Sequence, residues 1–236
     1  MRTSTLLSAL AATAANAAYS GDIVSYWVDQ TSALVNGTII GGLQSPPSSW
    51  YVAVVTGAIY EAAVSSKKES LAYQQLAVSH AAHNTIAWVF HGTRNLGATD
   101  ASLRAVIPAI GLAANSTEGK NAIETGRKAA RKVAKARADD GLNDFVDFTH
   151  GPKNPGVYQV TPGGAAFPDN PNARFIRPFA GLGNITRFRS PPPPKVTEKE
   201  YETAVVYIKA QGAQNSTVRT TYDTDSAYFW RESSIT

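Results

Sequence analysis

The chain has 236 residues, 43% of them hydrophobic, which is enough to bury one sizeable core and sets a single domain as the expectation. A net charge of +4 with no interleaving of basic and aromatic residues argues against a nucleic-acid binder. The absence of cysteine excludes thiolate chemistry, Cys-ligated metals and disulfide staples, so stability must come from core burial.

Residues 1–18 have the layout of a secretory signal peptide. Arg2 supplies a positive start, Leu6, Leu7, Ala9 and Leu10 a short apolar run, and Ala15-Asn16-Ala17 small residues at the cleavage positions. The run is far shorter than the roughly 20 apolar residues a membrane span needs, and no later stretch reaches that length, so no transmembrane segment is expected. Residues 19–236 are read as one helical domain of a secreted, extracellular protein. Asn36, Asn115, Asn184 and Asn215 each open an Asn-x-Ser/Thr sequon and are the candidate glycosylation sites.

The mature chain begins with helical patterning rich in alanine. Asp22 predicts the N-cap of a helix over Ile23–Val35, stopped by Asn36-Gly37. Pro46-Pro47-Ser48 opens a second helix over Ser49–Val64. The third, Leu71–Phe90, carries Leu71, Val78, Ala82, Ile86 and Val89 on one stripe, with His80, Asn84 and His91 opposite. A fourth spans Ala101–Ile110, with Pro108 predicting its end or a kink. In the fifth, Asn115 and Glu118 suggest a capping box and Gly141 a C-terminal glycine.

Asn143–Lys195 is different in composition, holding ten of the thirteen prolines. A long irregular segment over 143–196 is predicted, and its aromatic residues suggest packing rather than disorder. Thr197-x-x-Glu200 suggests a capping box before a sixth helix over Tyr201–Gln211, and a seventh covers about Thr221–Arg231. The fold class predicted is mainly α: a bundle of about seven helices with one long Pro/Gly-rich wrapping loop.

Several landmarks occur in a telling order. They are Ala58-Ile59-Tyr60-Glu61-Ala62, then Gly126-x-x-x-Ala130, Arg137-x-Asp139-Asp140-Gly141 and Pro155-Gly156-Val157-Tyr158-x-x-Thr161-Pro162. Pro191–Pro194, Tyr201, Gly212, Ser216, Arg219-Thr220 and Ala227-Tyr228-Phe229-Trp230 follow. In this set the chain resembles the secreted vanadium-dependent haloperoxidases and type 2 phosphatidic-acid phosphatases, specifically their N-terminal portion. The resemblance implies a helical scaffold and, in active relatives, a vanadate or phosphate pocket. That pocket uses a Lys with an Arg-Pro seven residues later, Pro-Ser-Gly-His, and Ser-Arg followed by His. Here Arg177-Pro178 is the only Arg-Pro, Asn170 holds the position of the Lys, Pro47-Ser48-Ser49-Trp50 is not Pro-Ser-Gly-His, and Ser-Arg does not occur. In family members these motifs come after the position where this sequence ends. No catalytic, cofactor-binding or metal residue is therefore assigned, and no cofactor is expected for this chain alone.

His80 and His83 stand three residues apart, a spacing that could serve a metal, but the helix has no acidic residue after Glu69. The bland reading is structural histidines. His91, about 16 Å along the axis from His80, cannot share an ion with it, and His150 is expected at the surface. Arg127, Arg131 and Lys135, flanked by Lys128 and Lys132, form either a cationic strip for an anionic ligand or the solvated face of an amphipathic helix. Arg137 with Asp140 and Gly141 suggests a turn seating the long loop, and Arg219 with Asp223 and Asp225 a support for the last helix.

Three functions follow: a catalytically incomplete haloperoxidase/phosphatase-like protein; the N-terminal part of an active enzyme; or a non-enzymatic glycoprotein. Unburied helix faces would favour self-association or a protein partner.

Overall fold

A computed structural model describes residues 19, 21–37, 47–91, 96–164, 167–168 and 170–231, so the predicted signal peptide lies outside the described residues. Among these there are seven α-helices and no strand: α1 (Ile23–Gly37), α2 (Pro47–Ser65), α3 (Leu71–Val89), α4 (Leu96–Ile110), α5 (Thr117–Arg137), α6 (Lys199–Gly212) and α7 (Thr221–Arg231). The mainly α class and the helix count agree with the sequence pattern. The contacts group into two compact units. One is Met1–Asp144 with Asn172–Arg177, the other Phe145–Pro171 with Pro178–Thr236.

In the first unit α3 is the central helix, touching α1, α2, α4 and α5. It is buried well beyond a single stripe: Leu76, Ala77, Val78, Ser79, Ala81, Ala82, Thr85 and Ile86 are all almost inaccessible. This corrects the predicted pattern. Leu71 is 70% exposed, and His80, placed on the opposite face, is buried. The physical reason is composition. Three of the inward positions, Ala77, Ala81 and Ala82, are alanine, which lets helices approach from several sides at once.

The closest approach is between α3 and α5. A Cβ added at Gly126 would fall inside the contact shell of the Ala77 carbonyl oxygen, and 2.9 Å from both Ala81 N and His80 Cβ. Ala122, Gly126, Ala129 and Ala130 form the buried face of α5, against Ala77 and Ala81 on α3. Around this seam the larger side chains close the core. Trp27 is fully buried and its indole donates to Ser79 Oγ at 3.1 Å, and Tyr26 donates to the Ser102 carbonyl at 2.8 Å.

Helix ends are set by identifiable groups. Asp22 accepts from Val24 N at 2.9 Å and Ser25 N at 3.3 Å, as predicted for a cap. At α5 the cap is Ser116, not Asn115. Ser116 Oγ accepts from Gly119 N at 3.0 Å, and Glu118, free of any capping role, accepts from Ser70 Oγ at 3.0 Å. Pro108 does not end α4, which runs to Ile110; a proline this close to the C-terminus removes one bond without disturbing the rest. The capping box predicted for α6 also does not form, since Glu198 holds the N-cap position and accepts from Lys195 N at 2.9 Å. A reciprocal box occurs instead at α7. Thr220 N donates to Asp223 Oδ2 at 3.2 Å and Asp223 N to Thr220 Oγ1 at 3.1 Å.

The second unit holds most of the irregular segment, α6 and α7. Its aromatics were expected to pack, but Phe145, Tyr158, Phe167 and Phe188 are exposed. Arg187 lies 4.7 Å over the Phe188 ring, and His150 stacks on Tyr158 at 6.4 Å. No residue of α6 is buried.

The two mid-helix glycines of α2 and α5 separate propensity from packing. Gly57→Ala, with no atom within 4 Å of the new methyl, should stabilise by about 0.5–1 kcal/mol. Gly126→Ala should instead destabilise by about 1–3 kcal/mol, because the obstacle is backbone and cannot move aside. Chemical denaturation of both variants checks the opposite signs.

Candidate functional site

The turn after α5 is the most heavily bonded site in the first unit. Asp140 is 5% exposed, and its carboxylate receives Trp50 Nε1 at 2.6 Å, Arg137 Nη1 at 3.3 Å and Leu142 N at 3.3 Å. A buried carboxylate is tolerated only when paired and hydrogen-bonded in this way. Its backbone carbonyl accepts from Arg177 N at 2.8 Å, which ties the returning segment to the turn. Gly141 follows at φ +95°, and a Cβ there would lie 2.7 Å from the Phe175 carbonyl oxygen. Both the left-handed backbone and the close approach require glycine. Asn172 Nδ2 completes the junction by donating to the Leu142 carbonyl. The seating turn expected from Arg137, Asp140 and Gly141 is therefore present, and it gathers two partners that spacing did not reveal, Trp50 and Arg177.

The three arginines of the recognised motifs share one use. Arg177 Nη2 donates to the carbonyls of Ala136 at 2.8 Å and Asp139 at 3.3 Å, at the C-terminus of α5. Arg137 Nη1 donates to the Arg177 carbonyl at 2.6 Å. Arg219 Nη1 donates to the carbonyls of Gln211 at 2.6 Å and Ala213 at 3.1 Å at the end of α6, and its Nε to Thr224 Oγ1 at 3.0 Å. Arg177 and Arg219 thus satisfy carbonyls that a helix leaves unpaired at its end, where positive charge also suits the dipole, while Arg137 holds the returning segment. Arg219 thus joins α6 to α7, and not through the expected pairing with Asp223, whose carboxylate is taken by Thr220.

The histidines separate. His83 Nε2 meets Asp100 Oδ1 at 2.7 Å, a partner from α4 that the sequence of α3 alone could not show. His80 points into the α3–α5 seam with its Nε2 buried and without a hydrogen-bond partner. Burial, then the neighbouring His83 and Arg127, lower its pKa from 6.5 to about 4. His150 is exposed, as expected, and so is His91. Among the described residues no group of three or more His, Cys, Asp or Glu stands together as a metal site.

The basic face of α5 is largely solvated and partly paired. Arg131 meets Glu124 at 2.6 Å and Lys132 meets Glu61 at 2.6 Å. Asn36, Asn115, Asn184 and Asn215 are all exposed, and Asn184 Oδ1 accepts from Thr186 N at 2.9 Å in a local turn. No helix among the described residues is long and apolar enough to cross a membrane. Comparison of the chain with protein-family models, curated proteins and solved structures gave no match.

His80 makes stability depend on pH. Its folded pKa, about 4, lies below the unfolded value of 6.5, so above 6.5 both states are neutral and no term arises. As pH falls from 6.5 toward 4 the unfolded chain binds the proton first, and the fold loses up to about 3 kcal/mol. Urea midpoints measured between pH 7 and 4 should fall for the native chain and fall distinctly less for His80→Gln.

Proposed function

We propose that this chain is a secreted helical scaffold of the haloperoxidase/phosphatase-like kind that performs no vanadate or phosphate chemistry by itself. The observation that carries this reading is the commitment of Arg137, Arg177 and Arg219 to backbone carbonyls. A vanadate or phosphate pocket needs several unspent cationic forks around one oxyanion, with an imidazole in reach. Arg177, from the one Arg-Pro pair, instead closes the end of α5. His83 is paired with Asp100, and His80 is enclosed beside Gly126. These residues do not fit an oxyanion cofactor, and no step is derived through one. The exposure of all four sequon asparagines supports the secreted, glycosylated part of the reading.

The test pairs activity with stability. The purified chain, given vanadate, peroxide and bromide, should brominate a dimedone acceptor no faster than vanadate alone, and should release no phosphate from an aryl phosphate. Arg177→Gln should lower stability by about 1 kcal/mol through the lost carbonyl contacts. Saturable broadening of the vanadium resonance, abolished by Arg177→Gln in a variant of unchanged stability, would overturn the proposal.

A second reading, an interaction surface, is favoured by α6. Val205, Val206, Tyr207 and Ile208 occupy successive positions around this helix and are 43–65% exposed, and Tyr222, Phe229 and Trp230 of α7 are 69–79% exposed. Helices apolar on several sides are ordinarily covered. The scaffold should therefore self-associate or engage a helical partner through them. Light scattering of the isolated chain should give oligomers, and Val206→Lys with Ile208→Lys should shift the population toward monomer; a monodisperse native monomer would exclude self-association.

A further inference from the structure

One turn beyond the Gly126 seam lies a groove of about 500 Å³ lined by Asn84, Trp88, Arg127, Ala130, Arg131 and Ala134. That volume suits a small organic molecule, for which sites of about 300–1,000 Å³ are usual. Its walls differ in chemistry. Trp88 forms an aromatic wall, its ring 6.2 Å from that of Trp50, whose indole is fixed on Asp140 at 2.6 Å. Ala130 and Ala134 contribute methyl groups. Asn84 gives one amide hydrogen to the His80 carbonyl at 2.6 Å and keeps its second N–H and Oδ1.

The two guanidinium groups are unequal. Arg131 is held by Glu124 at 2.6 Å and is largely neutralised. Arg127 feels the charge of Glu124 but has no hydrogen bond or ion pair among the described residues. The groove therefore presents about one unspent positive fork beside a flat apolar wall.

We infer that this groove binds a monoanionic aromatic carboxylate, with the carboxylate on Arg127 and the ring against Trp88 over the two alanines. A guanidinium matches a carboxylate in two parallel hydrogen bonds, and an indole favours a flat aromatic partner. A sugar acid fits poorly, since its several hydroxyls need more partners than one Asn side chain supplies. A phosphate dianion fits poorly too, since Glu124 already offsets the second cation. The inference uses neither the family resemblance nor the scaffold reading.

The probe is 2-naphthoate, titrated into the full chain and followed by ligand-detected NMR and by the backbone amides of Asn84 and Ala130. Expected is saturable binding with a dissociation constant on the order of 1 mM or tighter, with acetate, 2-naphthamide and inorganic phosphate each about tenfold weaker or more. Arg127 is exposed, so Arg127→Gln should keep the native thermal midpoint. It should weaken naphthoate about tenfold or more, as loss of a charged hydrogen bond does, and leave 2-naphthamide unchanged. No saturable binding, or naphthoate binding that Arg127→Gln does not weaken, overturns the proposal. So does acetate, 2-naphthamide or phosphate binding as tightly as naphthoate.

Discussion

The buried carboxylate of Asp140 is the constraint on which the first unit depends. At 5% exposure it has lost its hydration, and an ionised carboxylate in that position must recover the loss from fixed donors. Trp50 supplies one from α2, Arg137 another from the end of α5, and Leu142 N a third from the turn itself. Two of these donors are near neighbours of the acid in the chain and the third, Trp50, is distant, so satisfying one acid fixes α2 against the turn after α5. Removing any partner leaves charge uncompensated, whereas the surface pairs of Arg131 and Lys132 are screened and contribute little. The same turn binds Arg177 N through the Asp140 carbonyl, so residues 172–177 belong to this unit although the segments on either side of them do not.

Local signals were legible in the sequence where one residue type does one job. Asp22 caps α1, Gly141 takes a left-handed turn, and Arg137 pairs with Asp140, each within a few residues of its partner. Signals failed where the deciding group is distant or where two neighbours compete. Ser116 displaces Asn115 as cap because its hydroxyl reaches Gly119 N, and Glu118 is then drawn to Ser70, 48 residues away. Trp50 and Arg177 could not be placed beside Asp140 by spacing, since their separations from it are tertiary facts. His83 likewise finds its carboxylate on α4.

Periodicity misled in α3 for a further reason. A hydrophobic stripe assumes one buried face, but a helix rich in alanine can be surrounded, and small polar residues such as Ser79 and Thr85 go inside with it. Their hydroxyls bond back to carbonyls one turn earlier, Ser79 to Gln75 at 2.8 Å and Thr85 to Ala81 at 2.8 Å, so burial leaves them satisfied. In α6 the apolar run Val205 to Ile208 is exposed, and within the described residues nothing buries it.

The choice of small residues at the α3–α5 seam has a consequence beyond packing. Gly126 brings the two backbones together at Ala77 and Ala81, and His80 is enclosed there in its neutral form. One turn later Trp88, Ala130 and Ala134 line a groove, and the α5 register that buries Gly126 and Ala130 sets Arg127 at its edge. The arginines of the helix-end contacts and Arg127 thus differ in kind. The former satisfy carbonyls that would otherwise lack donors, while Arg127 satisfies nothing within the fold. A guanidinium beside an aromatic wall that the fold does not use is where ligand recognition has the least structural cost, because occupying it displaces no bond that stability requires.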